Sequence, residues 1–301
     1  MKPLDFLVAG ELYVDLIMSG FDFWPEPGRE AFASEFHREI GGGAAITACG
    51  LAKLGSSVSV LGMAGNDNGP WMMEQLQRNG VKTSDMRFHP SEPTAFTVAA
   101  TMPQDRAYLT YPGANRGFPA MLLEAATEHA QHVHLACKLD LDTAAGLIQK
   151  LHANGNTVSL DVGWHEDWLA DPRAVALLPL LDVFLPNETE AVRMTGEADV
   201  ARCLLRLAEA GAKCVPLKLG RRGSGILRDG DVVFVESPQV NAVDTTGAGD
   251  CFDAGFLHAW RKGEPVRDCL RLANICGALS TESLGGIAGF PDWEKIHSCG
   301  K

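Results

Sequence analysis

The chain has 301 residues, 46% of them hydrophobic and 21% charged, which is enough apolar material for one large buried core and excludes a disordered or fibrous chain. The formal net charge is −12 and no run of Lys and Arg occurs, so we expect neither nucleic-acid binding nor attachment to an anionic membrane. Eight scattered cysteines without a Cys-x-x-Cys pair predict reduced thiols. Because the start also lacks a long apolar run, we expect a cytoplasmic protein.

Short apolar runs alternate with amphipathic segments along the chain. The runs typical of buried strands are 6–9, 58–61, 133–136, 158–160, 183–185 and 214–217. The segments typical of helices are 44–54, 70–79, 120–130, 143–153 and 200–210. This alternation predicts an α/β fold, in which a mostly parallel central sheet lies between two layers of helices and ligands bind at the carboxyl ends of the strands.

Two stretches, roughly 11–36 and 94–111, are strand-like and contain no predicted helix. We expect them to form two hairpins that make a small sheet over the site, although ordinary edge hairpins are the alternative. A further hairpin is predicted at 226–235, turning at Asp229-Gly230. Because no repeat or linker interrupts the pattern, residues 1–301 are predicted to form a single domain.

The most informative segment is Asp-Thr-Thr-Gly-Ala-Gly-Asp at 244–250. Phe252, Phe256 and Trp260 follow at helical spacing, so a helix begins directly after the glycines. The unpaired amides of its first turn favour an anion, and they belong to Gly247, Ala248, Gly249 and Asp250. Beside that anion, the Asp250 carboxylate could take a proton from a hydroxyl. The alternative is a helix cap after a plain turn.

Two other segments have the chemistry of a hydroxyl-binding site. Gly41, Gly42 and Gly43 precede a predicted helix, and glycines there let a ligand hydroxyl approach the backbone closely. Asp15 follows the first strand, where its carboxylate can accept hydrogen bonds from two neighbouring hydroxyls of a polyol. A solvated loop acid is the alternative interpretation of Asp15.

Together these segments resemble the ribokinase-like (PfkB) family of carbohydrate kinases, whose signature has the form Asp-Thr-x-Gly-Ala-Gly-Asp. The resemblance implies a ribokinase-like three-layer sandwich with a small β-sheet lid, which closes on the sugar and often forms a homodimer interface. It also implies ATP-dependent transfer of the γ-phosphoryl group to a sugar hydroxyl. In that reaction Asp250 is the catalytic base, Gly247 to Asp250 form the anion hole, and Asp15 and Gly41 to Gly43 bind the sugar.

The resemblance extends to the nucleotide side. Asn187 and Glu190 match the family's Asn-x-x-Glu motif, which implies that they organise phosphate and hydrated Mg²⁺, while a helix cap is the alternative for Asn187. Lys218 lies at a strand–glycine segment like the family's nucleotide segment, and its ammonium could contact the ATP phosphates. The glycines of that segment are Gly220, Gly223 and Gly225.

Three more positions are assigned by the resemblance alone. Asn274 looks like the helix residue that lies beside adenine in this family. Asp244 and Thr246, with a later loop at 283–289, match positions that hold K⁺ in several relatives, and hard oxygen ligands suit such an ion.

The chain departs from the family pattern at Ile46, where members commonly carry Asn. An apolar branched side chain cannot donate a hydrogen bond to a sugar hydroxyl, so the acceptor is predicted to be less polar or differently placed. A nucleoside kinase is therefore an alternative, with a base stacked on lid aromatics such as Phe21, Phe23, Trp24 and Phe96. Another alternative is a non-catalytic sugar or nucleotide sensor. For Arg106 and Tyr108 we favour an exposed position over substrate contact.

Overall fold

The computed structural model describes residues 3–102 and 106–299. The strands are β1 (Leu4–Gly10), β2 (Tyr13–Ser19), β3 (Glu35–Gly41), β4 (Val58–Leu61), β5 (Met63–Gly65), β6 (Arg87–His89), β7 (Phe96–Thr101), β8 (Arg106–Tyr111), β9 (Ala130–Ala136), β10 (Thr157–Asp161), β11 (Val183–Phe184), β12 (Leu217–Lys218), β13 (Ser224–Arg228) and β14 (Asp231–Val235). The helices are α1 (Gly43–Lys53), α2 (Gly69–Arg78), α3 (Phe118–Glu124), α4 (Ala144–Ala153), α5 (Glu166–Ala170), α6 (Pro172–Val175), α7 (Glu188–Thr195), α8 (Val200–Glu209), α9 (Ala248–Arg261), α10 (Val266–Ser280) and α11 (Trp293–Cys299).

The centre of the fold is a five-stranded sheet in the order β11-β10-β9-β1-β4, and all of its pairings are parallel. Alternate residues of β1 point to opposite faces. Phe6 and Val8 pack in one core with α1, α9 and α10, whereas Leu7 and Ala9 pack in a second core with α3, α4 and α8. The sheet is therefore covered on both faces, and the predicted three-layer α/β sandwich is confirmed.

Two predicted elements differ from the structure. The helix predicted at 120–130 ends at Glu124, because the Thr127 hydroxyl donates to Asn156 Oδ1 and the Asn156 amide donates back to the Thr127 carbonyl, which draws the chain out of the helix. The strand predicted at 214–217 is regular only over Leu217–Lys218. Pro216 lacks the N–H that a longer ladder would need, although Cys214 O still accepts from the Phe184 amide.

A small four-stranded sheet packs beside the central one, in the order β3-β2-β7-β8. It consists of two antiparallel hairpins joined by the parallel pair β2–β7, and β3 continues to Gly41 and leads directly into α1. The predicted hairpin at 226–235 is confirmed as β13–β14. Its turn residues Asp229 and Gly230 both have positive φ, 53° and 90°, as a two-residue hairpin turn requires.

Within the described ranges, no helix is both long and apolar enough to cross a lipid bilayer.

Helices α1 and α9 pack together through small residues. The Thr47 hydroxyl on α1 donates to the Asp250 carbonyl on α9 at 3.2 Å. One turn further on, a Cβ added at Gly50 would lie 2.7 Å from Ala254 Cβ, so only glycine permits this separation. This close packing brings the amino-terminal ends of the two helices, and hence the two glycine-rich segments, side by side.

Ile46 lies in this seam and packs against two backbone turns. Its side chain is 4% exposed, and Cβ atoms added at Gly247 and Gly286 would lie 2.8 and 2.7 Å from its Cδ1 methyl. The isoleucine side chain therefore packs against the two backbone turns at Gly247 and Gly286.

We predict that Ile46→Asn lowers the free energy of unfolding by about 2 kcal/mol or more, because apolar packing is lost and a buried amide has no partner. Ile46→Val, the matched control, should cost about 0.5–1.5 kcal/mol. Urea unfolding measures both variants. Equal stability of Ile46→Asn and the native chain would contradict this packing role.

Candidate active site

The amino-terminal end of α9 presents backbone amides to a cleft. Gly247 adopts the left-handed conformation, with φ 75°, and precedes the first helical residue, Ala248. A side chain at Gly247 would collide with the Cα of Gly286, so glycine is required here for both reasons. The first-turn N–H groups have no preceding helical carbonyl to bond, although that of Ala248 donates to the Thr245 carbonyl at 3.3 Å. They lie at the positive end of the helix dipole, which favours an anion.

Asp250 lines the same cleft, whose volume is about 440 Å³. Its carboxylate faces the start of α1, and a Cβ at Gly43 would lie only 2.6 Å from Oδ1. Burial, helped by the nearby charge of Asp161, raises the pKa of Asp250 to about 7, although the Lys218 ammonium opposes the shift. A carboxylate with that pKa can accept a proton near neutral pH.

Lys218 lies among carboxylates beneath the anion site. Its Nζ is 2.7 Å from Asp161 and 3.1 Å from Asp253, and Asp253 is fully buried. Burial would lower the pKa of Lys218, but the two acids outweigh it and raise that pKa, while the ammonium lowers the pKa of Asp161. Burial raises the pKa of Asp253 well above its usual value, and the Lys218 ammonium opposes that shift.

Asp161 and Asp253 were missed by the sequence analysis. Asp161 ends strand β10 at the ligand edge of the sheet, and Asp253 follows Asp250 by one helical turn, so both signals were present in the sequence. Within the described residues, carboxylate oxygens of Asp161, Asp250 and Asp253 lie within 4.8 Å of one another, a spacing that could hold a metal ion. The ammonium of Lys218 already binds two of the three acids.

Asn187 and Glu190 form a capping box at the start of α7. The Asn187 side chain accepts from the Glu190 amide at 3.0 Å, and Glu190 Oε2 accepts from the Asn187 amide at 2.9 Å. Both residues line the cleft, and Glu190 is 4% exposed. Burial, with the charge of Asp161, raises the pKa of Glu190. The predicted cap is thus present at the edge of the site.

A second cavity of about 260 Å³ adjoins the cleft. The two cavities share Lys218, Gly220 and Gly249. Apolar residues contribute much of its wall, and its lining includes Gly223, Val240, Ala242, Phe252, Asn274 and Ala278. Such a lining suits a planar apolar ring with a few polar edges.

The structure gives the positions of two residues that were predicted to bind the nucleotide. Gly225 does not line this cavity, because it lies within β13, where a Cβ would contact Val232. Asn274 does line it, and its amide donates to the Val235 carbonyl at 2.9 Å, which holds the end of β14 against α10.

On the acceptor side, Asp15 on β2 and Gly41 on β3 lie in contact. A Cβ at Gly41 would lie 2.1 Å from the Asp15 carboxylate, and one at Gly42, with φ 93°, would lie 2.3 Å from the Glu11 carbonyl. Burial, with the charges of Asp244 and Glu39, raises the pKa of Asp15 to about 6. Asp15 is not among the residues that line the 440 Å³ cleft.

Asp244 and Thr246 hold an arginine in this structure. Arg106 Nη1, at the start of β8, is 2.5 Å from Asp244 Oδ1 and 3.2 Å from the Thr246 hydroxyl. Asp244 also accepts from the amides of Thr246 and Gly285. The oxygens expected to bind K⁺ therefore contact a guanidinium, and Arg106, which we expected at the surface, is half-buried in this contact.

Comparisons with known proteins identify the family of the chain. The family model described as pfkB family carbohydrate kinase matches residues 5–293. An uncharacterized sugar kinase of Archaeoglobus fulgidus is 30% identical over 250 residues, covering 80% of this chain and 98% of its own. A nucleoside kinase of Methanothermobacter thermautotrophicus is 28% identical over 292 residues, covering 96% and 93%.

The fold matches as well. A crystal structure of a putative ribokinase II from E. coli in complex with ATP and Mg²⁺ superposes with a TM-score of 0.85 at 23% identity, and the match covers 98% of each chain. The chain therefore belongs to the pfkB family of carbohydrate kinases, and it is a phosphotransferase that acts on a hydroxyl acceptor.

Proposed function

We propose that this protein is an ATP-dependent carbohydrate kinase that transfers the γ-phosphoryl group of ATP to a sugar hydroxyl. One observation carries the proposal. The Asp250 carboxylate and the first-turn amides of α9 lie where the apolar cavity meets the polar cleft. A proton acceptor and an anion hole at the junction of two ligand spaces are what in-line phosphoryl transfer needs.

The nucleotide would occupy the apolar cavity. Adenine would lie between Val240 and Asn274, and the triphosphate would extend past Gly220 and Gly223 toward the amides of α9. Both glycines have positive φ, which lets the backbone approach phosphate closely. A Cβ at Gly249 would lie 3.7 Å from Lys218 Nζ, so the ammonium is next to the anion hole and offsets phosphate charge from below.

Magnesium would be held on the phosphates with waters shared by Glu190 and Asn187. The fit rests on the donor set, because Glu190 presents a buried carboxylate at the cleft and Mg²⁺ takes few protein oxygens. When bound, the ion supplies charge neutralisation to the transferring phosphoryl group.

The acceptor would lie between Asp15 and the glycines 41–43. Asp250 takes the proton of the acceptor hydroxyl, the oxygen forms a bond to the γ-phosphorus, and the bond from that phosphorus to the bridging oxygen of ADP breaks. The amides at the start of α9 stabilise the charge that remains on the transferred group.

A nucleoside acceptor is the second candidate, since a relative is named a nucleoside kinase. Two of the four aromatics that would stack on a base have other partners here. Phe23 carries the Arg29 guanidinium 4.1 Å from its centroid, and Phe96 packs against Tyr111. This arrangement favours the sugar. A panel of sugars, sugar acids and nucleosides, assayed for ADP release, separates the classes, and ligand binding without ADP release would support a sensor.

We further propose that the small sheet is a lid and forms a homodimer interface. Phe36, Phe96 and Leu109 are exposed on one face of it, and such an apolar patch favours burial against a second copy.

We predict that Asp250→Asn lowers kcat by about 10²–10⁴, the usual contribution of a positioned acid–base group. ATP affinity, measured by calorimetry, should stay near the native value, because the amide keeps the shape of the side chain. Asp142→Asn, at an exposed site, is the control. Undiminished turnover by Asp250→Asn would overturn the assignment of the base.

The pH profile tests the same group. Only ionised Asp250 can accept a proton, so kcat/KM for the acceptor should rise with pH and level off with an apparent pKa of about 7. Product should be quantified in stopped samples, which keeps coupling enzymes out of the profile. A midpoint near 4, typical of a solvated carboxyl, would contradict the buried base.

Gly43→Ala tests the geometry of the base. The added methyl would lie 2.6 Å from Asp250 Oδ1, so the carboxylate must move and kcat should fall by about 10². Gly146→Ala in α4 is the matched control, because its methyl meets open space and should stabilise the helix by up to about 1 kcal/mol without changing turnover. Native turnover in Gly43→Ala would show that the two helix starts do not constrain the base.

A further inference from the structure

Arg106 connects the small sheet to the loop that precedes the anion hole. It begins β8, and its side chain is 26% exposed. Its guanidinium bonds Asp244 Oδ1 and the Thr246 hydroxyl, on the segment that leads into Gly247 and α9. The contact joins residues 138 positions apart in the sequence.

Asp244 is the centre of this connection. It is 4% exposed, and its two carboxylate oxygens divide between two turns. Oδ1 accepts from the Thr246 amide at 2.9 Å, and Oδ2 accepts from the Gly285 amide at 3.0 Å. The turn at Gly285 leads to Gly286, whose Cα would be 2.8 Å from a Cβ at Gly247. The carboxylate thus sets the spacing of both turns that shape the anion hole.

A buried carboxylate in this position needs a nearby positive charge. The Asp244 carboxylate accepts hydrogen bonds from the Gly285 and Thr246 amides and from the Arg106 guanidinium. Another acid lies near it, since Asp15 feels the charge of Asp244 as well as that of Glu39. Leaving Asp244 without a cation would add an unpaired charge to an acidic region.

We propose that Arg106 is a positioning residue for phosphoryl transfer, a built-in monovalent cation that neutralises Asp244 and fixes the turn carrying the anion-hole amides. The inference rests on the proposed function of those amides. It implies that turnover does not require a free monovalent cation, because the guanidinium occupies the oxygens that such an ion would use.

The position of Arg106 has a mechanical consequence. The same small sheet carries Asp15, at the proposed acceptor site, on the strand next to β7. Because β8 pairs with β7, any movement of this sheet toward or away from the cleft also moves Arg106 relative to Asp244. The ion pair therefore links the acceptor-binding element to the order of the anion hole.

The experiment compares Arg106→Ala and Arg106→Lys with Arg78→Ala, a matched control that breaks an exposed arginine–carboxylate pair on α2. In buffer without K⁺, Arg106→Ala should lower kcat by about 10²-fold, as expected for misplaced anion-hole donors, and leave the acceptor KM nearly unchanged. Arg106→Lys should recover much of the loss, and Arg78→Ala should behave as the native chain.

Cation rescue is the sharpest readout. Added K⁺ or guanidinium chloride at low concentration should raise kcat of Arg106→Ala by about tenfold or more, since a small ion can refill the site, and should not raise that of the native chain. Asp244→Asn should remove the rescue. Equal stimulation of native and variant chains, or no rescue at all, would overturn the proposal.

A contact between Arg106 and the acceptor gives a different pattern. It would raise the acceptor KM of Arg106→Ala with kcat preserved, and no cation would restore it. That result would also overturn the proposal.

Hydrogen exchange separates this inference from the proposed function. Amide exchange of the 243–250 segment should accelerate in Arg106→Ala, return toward native with guanidinium, and stay native in Arg78→Ala. If the native chain phosphorylates no acceptor, the proposed function fails, while exchange still decides the role of Arg106. Amide exchange that stays unchanged in Arg106→Ala would refute the positioning role of Arg106.

Discussion

The close approach of helices α1 and α9 is the constraint on which the site depends. Glycine at position 43 leaves room for the Asp250 carboxylate, and glycine at position 50 lets the helices pack through Ala254. Ile46 fills the space beneath the turns at Gly247 and Gly286. Because both helices begin at the ligand edge of a parallel sheet, their free amides and the base converge on one point. Larger side chains in this seam would separate the base from the anion site.

Charge balance is the second condition, and it is satisfied within the protein. Lys218 holds Asp161 ionised and lies beside buried Asp253 and the anion hole. Burial and the remaining acid charge leave Asp250 with a pKa of about 7. Arg106 likewise forms an ion pair with Asp244. Two fixed cations thus allow a chain of net charge −12 to build an anion site from backbone amides.

Elements that depend on neighbouring residues in the sequence were predictable from short sequence patterns. The alternation of apolar runs predicted the parallel sheet, and Asp229-Gly230 predicted the β13–β14 hairpin. The apolar residues at helical spacing after Asp250 predicted the start of α9. Features set by distant contacts were not predictable this way. The end of α3 depends on side-chain bonds between Thr127 and Asn156, and the role of Asp161 depends on Lys218, 57 residues away. The orientation of Ile46 and the reach of Arg106 likewise required the three-dimensional structure.

The central claim is that the amides at the start of α9 bind the phosphoryl group transferred to a hydroxyl beside Asp250. A crystal structure with Mg²⁺ and a non-hydrolysable ATP analogue tests it most directly. The account predicts adenine between Val240 and Asn274, and the γ-phosphate within hydrogen-bonding distance of the amides of residues 247–250. A nucleotide bound elsewhere, or a γ-phosphate that points away from Asp250, would contradict it.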